Sequence, residues 1–406
     1  MPTTQTLEQL ISRPDIRGLQ VLIRADLNVP LTPEGTIRDT TRIDRLLPSF
    51  KALMGAGAKI GILSHFGRPK GTHNPAMSLQ PISQALANLL GEPVAFAQDC
   101  IGPAAQESMA ALENGKVLVF ENTRFHAGEE ANDPKFAAQL AENGAAYVND
   151  AFSTAHRAHA STEALAHLMP AYAGLSMQAE LDAISIALEN PSRPLMAVVG
   201  GAKISTKIML LSNLVEKVDK LVIGGGMANT FLAAQGIEIG RSLCEDTMLD
   251  TSKDIMAKAA QTKCQIILPK DVVMAAEFGP CDNPIIQDIH HIPQDMMILD
   301  AGPKTVEDIK HHMEACQTLV WNGPLGAFEL TPFDNGTNLA SQYAAFLTQN
   351  DKLTSIAGGG DTVAALNHSG AAGHFSYIST AGGAFLEWLE GKTLPGVKAL
   401  EMAAQR

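Results

Sequence analysis

The chain has few of the residues and motifs that mark the commonest cofactor and covalent frameworks. Five cysteines in 406 residues (Cys100, Cys244, Cys264, Cys281 and Cys316) are odd in number and widely spaced, with no Cys-x-x-Cys. A disulfide scaffold and a zinc ribbon are thereby excluded, and reduced thiols of a cytoplasmic protein fit better. No apolar run approaches the ~20 residues of a membrane span. The segment Met1 to Arg17 lacks the basic-then-apolar order of a signal peptide. The histidine pairs His290-His291 and His311-His312 stand in no HExxH-like spacing and read as solvated surface. There is no GxGxxG and no GxxxxGK[ST], which removes the two commonest nucleotide fingerprints. Net positive charge is absent too: a balance of −13 argues against nucleic acid as a partner.

What positive charge there is has been distributed unevenly. Nine of the twelve arginines precede residue 160, and thirteen of the eighteen lysines follow residue 200. Arginine forks match carboxylate and phosphate bidentately, whereas lysine is a mobile point charge. In the first 160 residues, four apolar runs each end on basic groups. They are Val21–Asn28 with Arg24, Ile60–Arg68 with His65 and Arg68, Val117–Arg124, and Tyr147–Asp150 followed by His156 and Arg157. Such runs have the length of buried parallel strands, and ligands of open α/β sheets bind past the carboxyl ends of the strands. Four strand ends thus aim basic groups at one small, multiply negative molecule.

Strand and helix alternate along the chain, which predicts parallel sheets covered by helices. Ile43, Leu46, Leu47, Phe50, Leu53 and Met54 recur at helical spacing, with Gly55 and Gly57 as the stop. Further strands are predicted at 195–200, 220–224, 265–268, 296–299, 318–321, 353–357 and 375–379. A helix around 178–189 ends at Glu189-Asn190-Pro191-Ser192-Arg193-Pro194, where two prolines mark a domain boundary. The length predicts two domains of ~150–200 residues.

Individual residues leave two readings open. Asp26 and Asn28, on alternate positions, can share a face and hydrogen-bond a ligand, or Asp-Leu-Asn-Val-Pro can be a simple turn. Arg42 lies near a helix start, where the macrodipole disfavours a cation; it serves function there or is merely solvated. His65-Phe66-Gly67-Arg68 is an anion loop or a structural histidine with a tight turn. In the second half, Gly200-Gly201-Ala202-Lys203-Ile204-Ser205-Thr206-Lys207 follows a strand and is expected to open a helix, with Lys203 and Lys207 on one face. Gly224-Gly225-Gly226 and Gly358-Gly359-Gly360-Asp361-Thr362 also follow strands. Each is a phosphate cradle at a helix N-terminus or a tight strand–helix turn. Asp361 can cap its helix or reach a magnesium ion. The segment Trp321–Glu329 also follows a strand and offers flat apolar surface to a base, and Glu329 can accept from ribose hydroxyls.

Taken together these segments resemble the phosphoglycerate kinase family. The motifs are RADLNVP at 24–30, SHFGRP at 64–69, ENTRF at 121–125, DAFSTAHRAHAST at 150–162, VGGAKIST at 199–206, GGGMANTF at 224–231, WNGPLGAFE at 321–329, AGGGDT at 357–362 and STAGGA at 379–384. They cover nearly the whole chain in the family's order. The resemblance implies an α/β fold of two Rossmann-like parallel-sheet domains joined by a helical hinge. Residues 1–182 would bind phosphoglycerate, with the tail 393–406 packed back on them, and residues 183–392 would bind nucleotide. It implies a monomeric cytoplasmic glycolytic and gluconeogenic enzyme. The reaction is reversible transfer from 1,3-bisphosphoglycerate to MgADP, giving 3-phosphoglycerate and MgATP in a cleft closed by hinge bending. Asp26, Asn28, Arg42, His65, Phe66, Gly67, Arg68, Arg124 and Arg157 would hold the phosphoglycerate. Lys207, Glu329, Gly359, Gly360, Asp361 and Thr362 would hold the nucleotide, Asp361 facing Mg²⁺. Arg42, Lys203, Lys207, Gly359 and Gly360 would act on the transferring phosphoryl group. The sequence departs from the family pattern at Phe66, Ser153, Ala327 and Ala381, where the family usually has leucine, glycine, a larger aliphatic residue and glycine. The alternatives are another two-domain nucleotide-dependent enzyme, a small-acid kinase or a dehydrogenase, of which the dehydrogenase would want GxGxxG and an acidic ribose binder, and a non-catalytic binding protein, which would lack some of these charged residues.

Overall fold

The structure, a computed structural model, describes residues 4–32 and 37–406. The chain divides into two compact units, Met1–Asp182 with Thr393–Arg406, and Ala183–Lys392. It passes from the first to the second within the helix Leu175–Ile184, which runs on as a π-helical turn, Ser185–Glu189. Among the described residues no helix is long and apolar enough to cross a membrane.

The first unit is built on six strands: β1 (Gln20–Arg24), β2 (Lys59–Leu63), β3 (Val94–Ala97), β4 (Val117–Phe120), β5 (Ala146–Asn149) and β6 (Ala171–Ala173). They pair in the order β3-β4-β2-β1-β5-β6, all parallel. The apolar runs are buried on both faces, as parallel strands under helices must be. Val21, Ile23, Ile60, Ile62, Val117, Val119 and Val148 enter one core cluster, while Leu22, Leu118 and Tyr147 are buried on the other side. The helix Thr41–Gly55 covers the first of these faces with Ile43, Leu46, Phe50 and Leu53. Gly57 adopts φ +79° just beyond it. The terminal helix Pro395–Ala403 belongs to this unit: the Gly396 N–H donates to the Ala155 carbonyl at 2.9 Å. The short edge strands β3 and β6 were not among the predicted ones.

The second unit has a six-stranded sheet of β7 (Leu195–Val199), β8 (Lys220–Ile223), β9 (Gln265–Ile267), β13 (Thr318–Asn322), β14 (Thr354–Gly358) and β15 (Tyr377–Ser379). Between β9 and β13 lie β10 (Asp271–Ala275), β11 (Ile285–Asp288) and β12 (Met297–Ala301). The larger sheet runs β15-β14-β13-β7-β8-β9, all parallel. Alternate residues again serve opposite cores, Leu195, Ala197 and Val199 on one side and Met196 and Val198 on the other. The three intervening strands correct the expectation of purely parallel sheets. They form a separate antiparallel sheet in the order β11-β10-β12. Short connections without a crossover helix permit only antiparallel pairing.

Candidate active site

Both parallel sheets have a topological switch point, where the chain crosses from one side of its first strand to the other. Crevices at such points are where open α/β sheets bind ligands. In the first unit the switch lies between β1 and β5, and in the second between β7 and β13.

Past β1 the turn and the ligand readings of Asp-Leu-Asn coincide. The Asn28 N–H donates to Asp26 Oδ1 at 3.1 Å, closing an Asx turn. Asp26 Oδ2 meanwhile accepts from Ser153 Oγ at 2.6 Å and from Arg42 Nη1 at 3.2 Å. Asn28 Oδ1 takes the Gly67 N–H at 3.0 Å, so it anchors the next loop. Gly67, at φ +63°, returns its carbonyl to Arg124 Nη1 at 2.9 Å. Phe66 is partly buried against the core, and its carbonyl accepts from Asn122 Nδ2 at 2.7 Å. The loops after β1, β2 and β4 are thus stitched into one rim before any ligand arrives.

The cations of this rim divide into committed and free. Arg24 is buried, donating Nε to Ser161 Oγ at 2.9 Å, and Ser161 in turn donates to the buried Glu129 at 2.6 Å. Arg24 Nη2 meets His65 Nδ1 at 2.9 Å. Guanidinium has no acceptor, so Nδ1 must carry the lone pair and Nε2 the proton. Burial, with Arg24 and Arg124 nearby, holds the His65 pKa well below its usual range. The same causes lower His159 to about 4. Both rings are neutral at pH 7, and His65 offers an N–H at Nε2. Arg124 is buried beside Glu130, 3.3 Å away. Arg42 is partly exposed and, among the described residues, bonds through Nη1 alone, to Asp26 and to the Asn28 carbonyl at 2.9 Å. Arg68 and Arg157 are exposed, with no side-chain hydrogen bond or ion pair among the described residues. Ser161, Glu129 and His159 have no role in the sequence reading, and Arg24, expected there among the basic groups aimed at the anion, is instead committed to Ser161 and His65. The signal for Arg24 was its place as the last residue of an apolar strand.

In the second unit the switch point is tight. A Cβ added at Gly200 would lie 1.8 Å from the Pro324 carbonyl oxygen, and one at Gly323 would lie 2.1 Å from the Gly200 oxygen. Only glycine allows this approach. The Lys207 ammonium fills the notch, donating to the Gly200 carbonyl at 2.6 Å and to Asn322 Oδ1 at 2.7 Å. Burial lowers its pKa to about 8. The expectation that Lys203 and Lys207 share a helical face is corrected. The helix begins at Ile208, Lys207 has φ −131° and ψ 14°, and Lys203 lies in the irregular loop before it. Glycine-permitted close contact, not helical propensity, sets the path of 200–207.

The helix Gly360–His368 begins at Gly359, which has φ +104°, and its first-turn N–H groups open toward the same crevice. Thr362 is buried, and its Oγ1 accepts from the Gly323 N–H at 2.7 Å, so it braces the crevice wall. Asp361 is exposed on the first turn and close enough to Lys207 to raise its pKa somewhat. Beside these groups opens a largely apolar cavity of about 490 Å³, walled by Leu243, Leu299, Leu325 and Ala327, with Glu329 and Asp361 on its lining. Trp321 does not line it. The ring is buried in the sheet core, donating its indole N–H to the Gly323 carbonyl at 2.8 Å, whereas Pro324 to Glu329 of the same segment lie on the cavity lining. His290, His291 and His311 are exposed. Among the described residues the one group of three metal-ligand side chains is Asp99, Cys100 and His126, away from Asp361 in sequence and in the other unit.

An arginine-lined rim at one switch point and a lysine, a helix N-terminus and an apolar slot at the other define a two-unit α/β phosphotransferase. The family model for phosphoglycerate kinase matches residues 11–392. The phosphoglycerate kinase of Methylorubrum extorquens (strain PA1) is 58% identical over 386 residues, covering 95% of this chain and 96% of that one. That of Sinorhizobium medicae is 57% identical over 400 residues, covering 98% and 99%. The solved structure of phosphoglycerate kinase from Coxiella burnetii superposes with a TM-score of 0.90 at 43% identity, covering 97% of this chain and 98% of that one. The chain belongs to the phosphoglycerate kinase family.

Proposed function

We infer that the chain carries out the reaction of its family, reversible phosphoryl transfer between the C1 carboxylate of 3-phosphoglycerate and the terminal phosphate of ADP. The observation that carries this is the pairing of two anion sites of different chemistry, one at each switch point. In the direction of ATP synthesis, a β-phosphate oxygen of ADP attacks the acyl phosphorus of 1,3-bisphosphoglycerate. The bond to the carboxyl oxygen breaks, and the carboxylate leaves with that electron pair. No protein nucleophile is required. Placement in line and cancellation of charge on the equatorial oxygens are required.

Residue roles follow from which groups are free. Arg68 and Arg157, exposed and unpaired among the described residues, grip the remote phosphate. His65 Nε2–H donates to an anionic oxygen, and Asp26 accepts from the C2 hydroxyl. Arg124 and Asn28 brace the rim with Phe66 and Gly67. Arg42, whose Nη2 and Nε have no partner among the described residues, turns them to the transferring phosphoryl. Lys203 has an exposed ammonium and does the same from the nucleotide side. Lys207 and the N–H groups at Gly359 and Gly360 hold the nucleotide phosphates, Glu329 the ribose, and the apolar cavity the base.

Mg²⁺, when bound with the nucleotide, offsets charge on its phosphates. Asp361 is the residue that would hold it, since an exposed carboxylate beside a phosphate cradle suits an ion that keeps most of its waters. Because the two sets of donors stand on different units, turnover requires those units to approach, and the segment 175–189 is the one assigned to bending. We read the enzyme as a cytoplasmic monomer of 43.1 kDa without nucleic-acid or membrane partners. A coupled assay of ATP formation from 1,3-bisphosphoglycerate and MgADP tests the activity. No ATP above the uncatalysed background would refute it.

A further inference from the structure

Asp26 is the carboxylate held at the β1 end of the arginine rim, and its four lone-pair positions can be accounted for among the described residues. Oδ1 accepts one N–H, from Asn28 at 3.1 Å. Oδ2 accepts two donors, Ser153 Oγ at 2.6 Å and Arg42 Nη1 at 3.2 Å. Among the described residues one position, on Oδ1, takes no donor and is left for a ligand hydroxyl. The two donors on Oδ2 differ in permanence. Arg42 is long, partly exposed and wanted elsewhere during transfer. Ser153 is fixed: it sits in the short turn Phe152–Thr154 after β5, where Thr154 Oγ1 donates to the Ala151 carbonyl and the Ala151 N–H to Asn149 Oδ1. Its short bond to a carboxylate is of the charge-assisted kind. Rotation of an aspartate about its terminal torsion is soft and roughly two-fold, so a carboxylate that loses its Oδ2 donors is free to turn. Ser153 also lies across the switch point from Asp26, 127 residues away in sequence, on the loop that carries Arg157.

We propose that Ser153 is a positioning residue for the hydroxy-acid substrate. Its hydroxyl holds Asp26 so that the free Oδ1 lone pair faces the C2 hydroxyl after Arg42 has moved to the phosphoryl group. The bond also ties the β5 loop to the β1 loop, keeping the hydroxyl acceptor and the Arg157 guanidinium in one register. This rests on the reading of Asp26 as the acceptor of that hydroxyl.

The test compares Ser153→Ala, Ser153→Thr and Asp26→Asn in the full enzyme, with two ligands. One is 3-phosphoglycerate, and the other is 3-phosphonooxypropanoate, which has the same charges and no hydroxyl. Ser153→Ala is expected to raise the KM for 3-phosphoglycerate about fivefold, the effect of misplacing one hydrogen bond to a charged group. The inhibition constant of the hydroxyl-free analogue should change less than about twofold, and Ser153→Thr should restore the wild-type ratio of the two ligands. An equal loss for both ligands in Ser153→Ala would show general damage to the loop and overturn the proposal. If Asp26→Asn weakens 3-phosphoglycerate selectively and Ser153→Ala does not, the proposal alone fails. If neither variant distinguishes the two ligands, the reading of Asp26 fails, and the role of Ser153 falls with it.

Discussion

Lys207 exposes the physical cost of keeping a phosphate site ready. Its ammonium is buried in the notch made by Gly200 and Asn322, and its pKa falls from 10.5 to about 8. A depression of that size corresponds to roughly 3 kcal/mol by which the folded protein disfavours the charged form relative to the unfolded chain. Below pH 8 the lysine is charged in both states, and the fold bears this penalty in full. Between about pH 8 and 10.5 the unfolded chain binds a proton that the folded one has released, so this group makes stability rise with pH. Lys207→Met removes the penalty and leaves two carbonyl groups without a partner, each worth about 1 kcal/mol. The net expectation at pH 7 is an apoprotein more stable by ~1 kcal/mol and a midpoint higher by about 2–4 °C, accompanied by loss of activity. Nucleotide phosphates should restore the ordinary basicity of the lysine. MgADP affinity in the wild type should therefore fall about tenfold from pH 7 to pH 9, with proton uptake on binding at the upper end. Titration calorimetry in two buffers of different ionisation enthalpy reads both effects. Flat affinity across that range without proton uptake, or a Lys207→Met apoprotein clearly less stable than the wild type, would refute the reasoning.

Arg42→Ala should lower kcat on the order of 10³-fold, because it removes a donor used mainly in the transition state; near-normal turnover in the coupled assay would remove Arg42 from the chemistry. Gly200→Ala forces a Cβ to 1.8 Å from the Pro324 carbonyl oxygen. Denaturant unfolding should find a loss exceeding ~3 kcal/mol, since backbone rather than a flexible side chain must move. His65 and His159 are held neutral, so the KM for 3-phosphoglycerate should show no inflection near pH 6.5 that disappears in His65→Gln. A histidine titration in that range, followed by NMR of the imidazole protons, would contradict the assigned tautomer. The Ser153 variants described above complete the set, with KM ratios between the two ligands as their measure.

Particular residues show how far the sequence could be read. The strand ends at Arg24, Leu63, Phe120 and Asn149 were legible because buried parallel strands are short apolar runs, and a charge after such a run marks its end. The helix N-terminus at Gly359 was legible because a glycine triplet after a strand has few other uses. Lys203 and Lys207 were placed on a helical face because four-residue spacing suggests one. The close approach of Gly200 to Pro324 overrides that local pattern and delays the helix to Ile208. Trp321–Glu329 reads as apolar surface, but only the fold decides that Trp321 is spent in the sheet core while Pro324 to Glu329 line the cavity. The antiparallel sheet escaped because only β12 reads as a strand: β10 is five residues opening on Asp271, and β11 is a short strand exposed at Ile285 and Ile286.

The sequence by itself determined the two-fold division of charge chemistry, the strand–helix order and the set of residues able to bind anions. Those follow from residue type, period and local spacing. Only the tertiary structure decided which of them are available. Arg24 is consumed by Ser161, 137 residues away in sequence, whereas Arg68 and Arg157 stay free among the described residues. The proton on His65 is placed by Arg24, the basicity of Lys207 by a notch closed by Asn322, and the orientation of Asp26 by Ser153. Burial and hydrogen bonding depend on neighbours brought together from distant strands, and no local pattern encodes them.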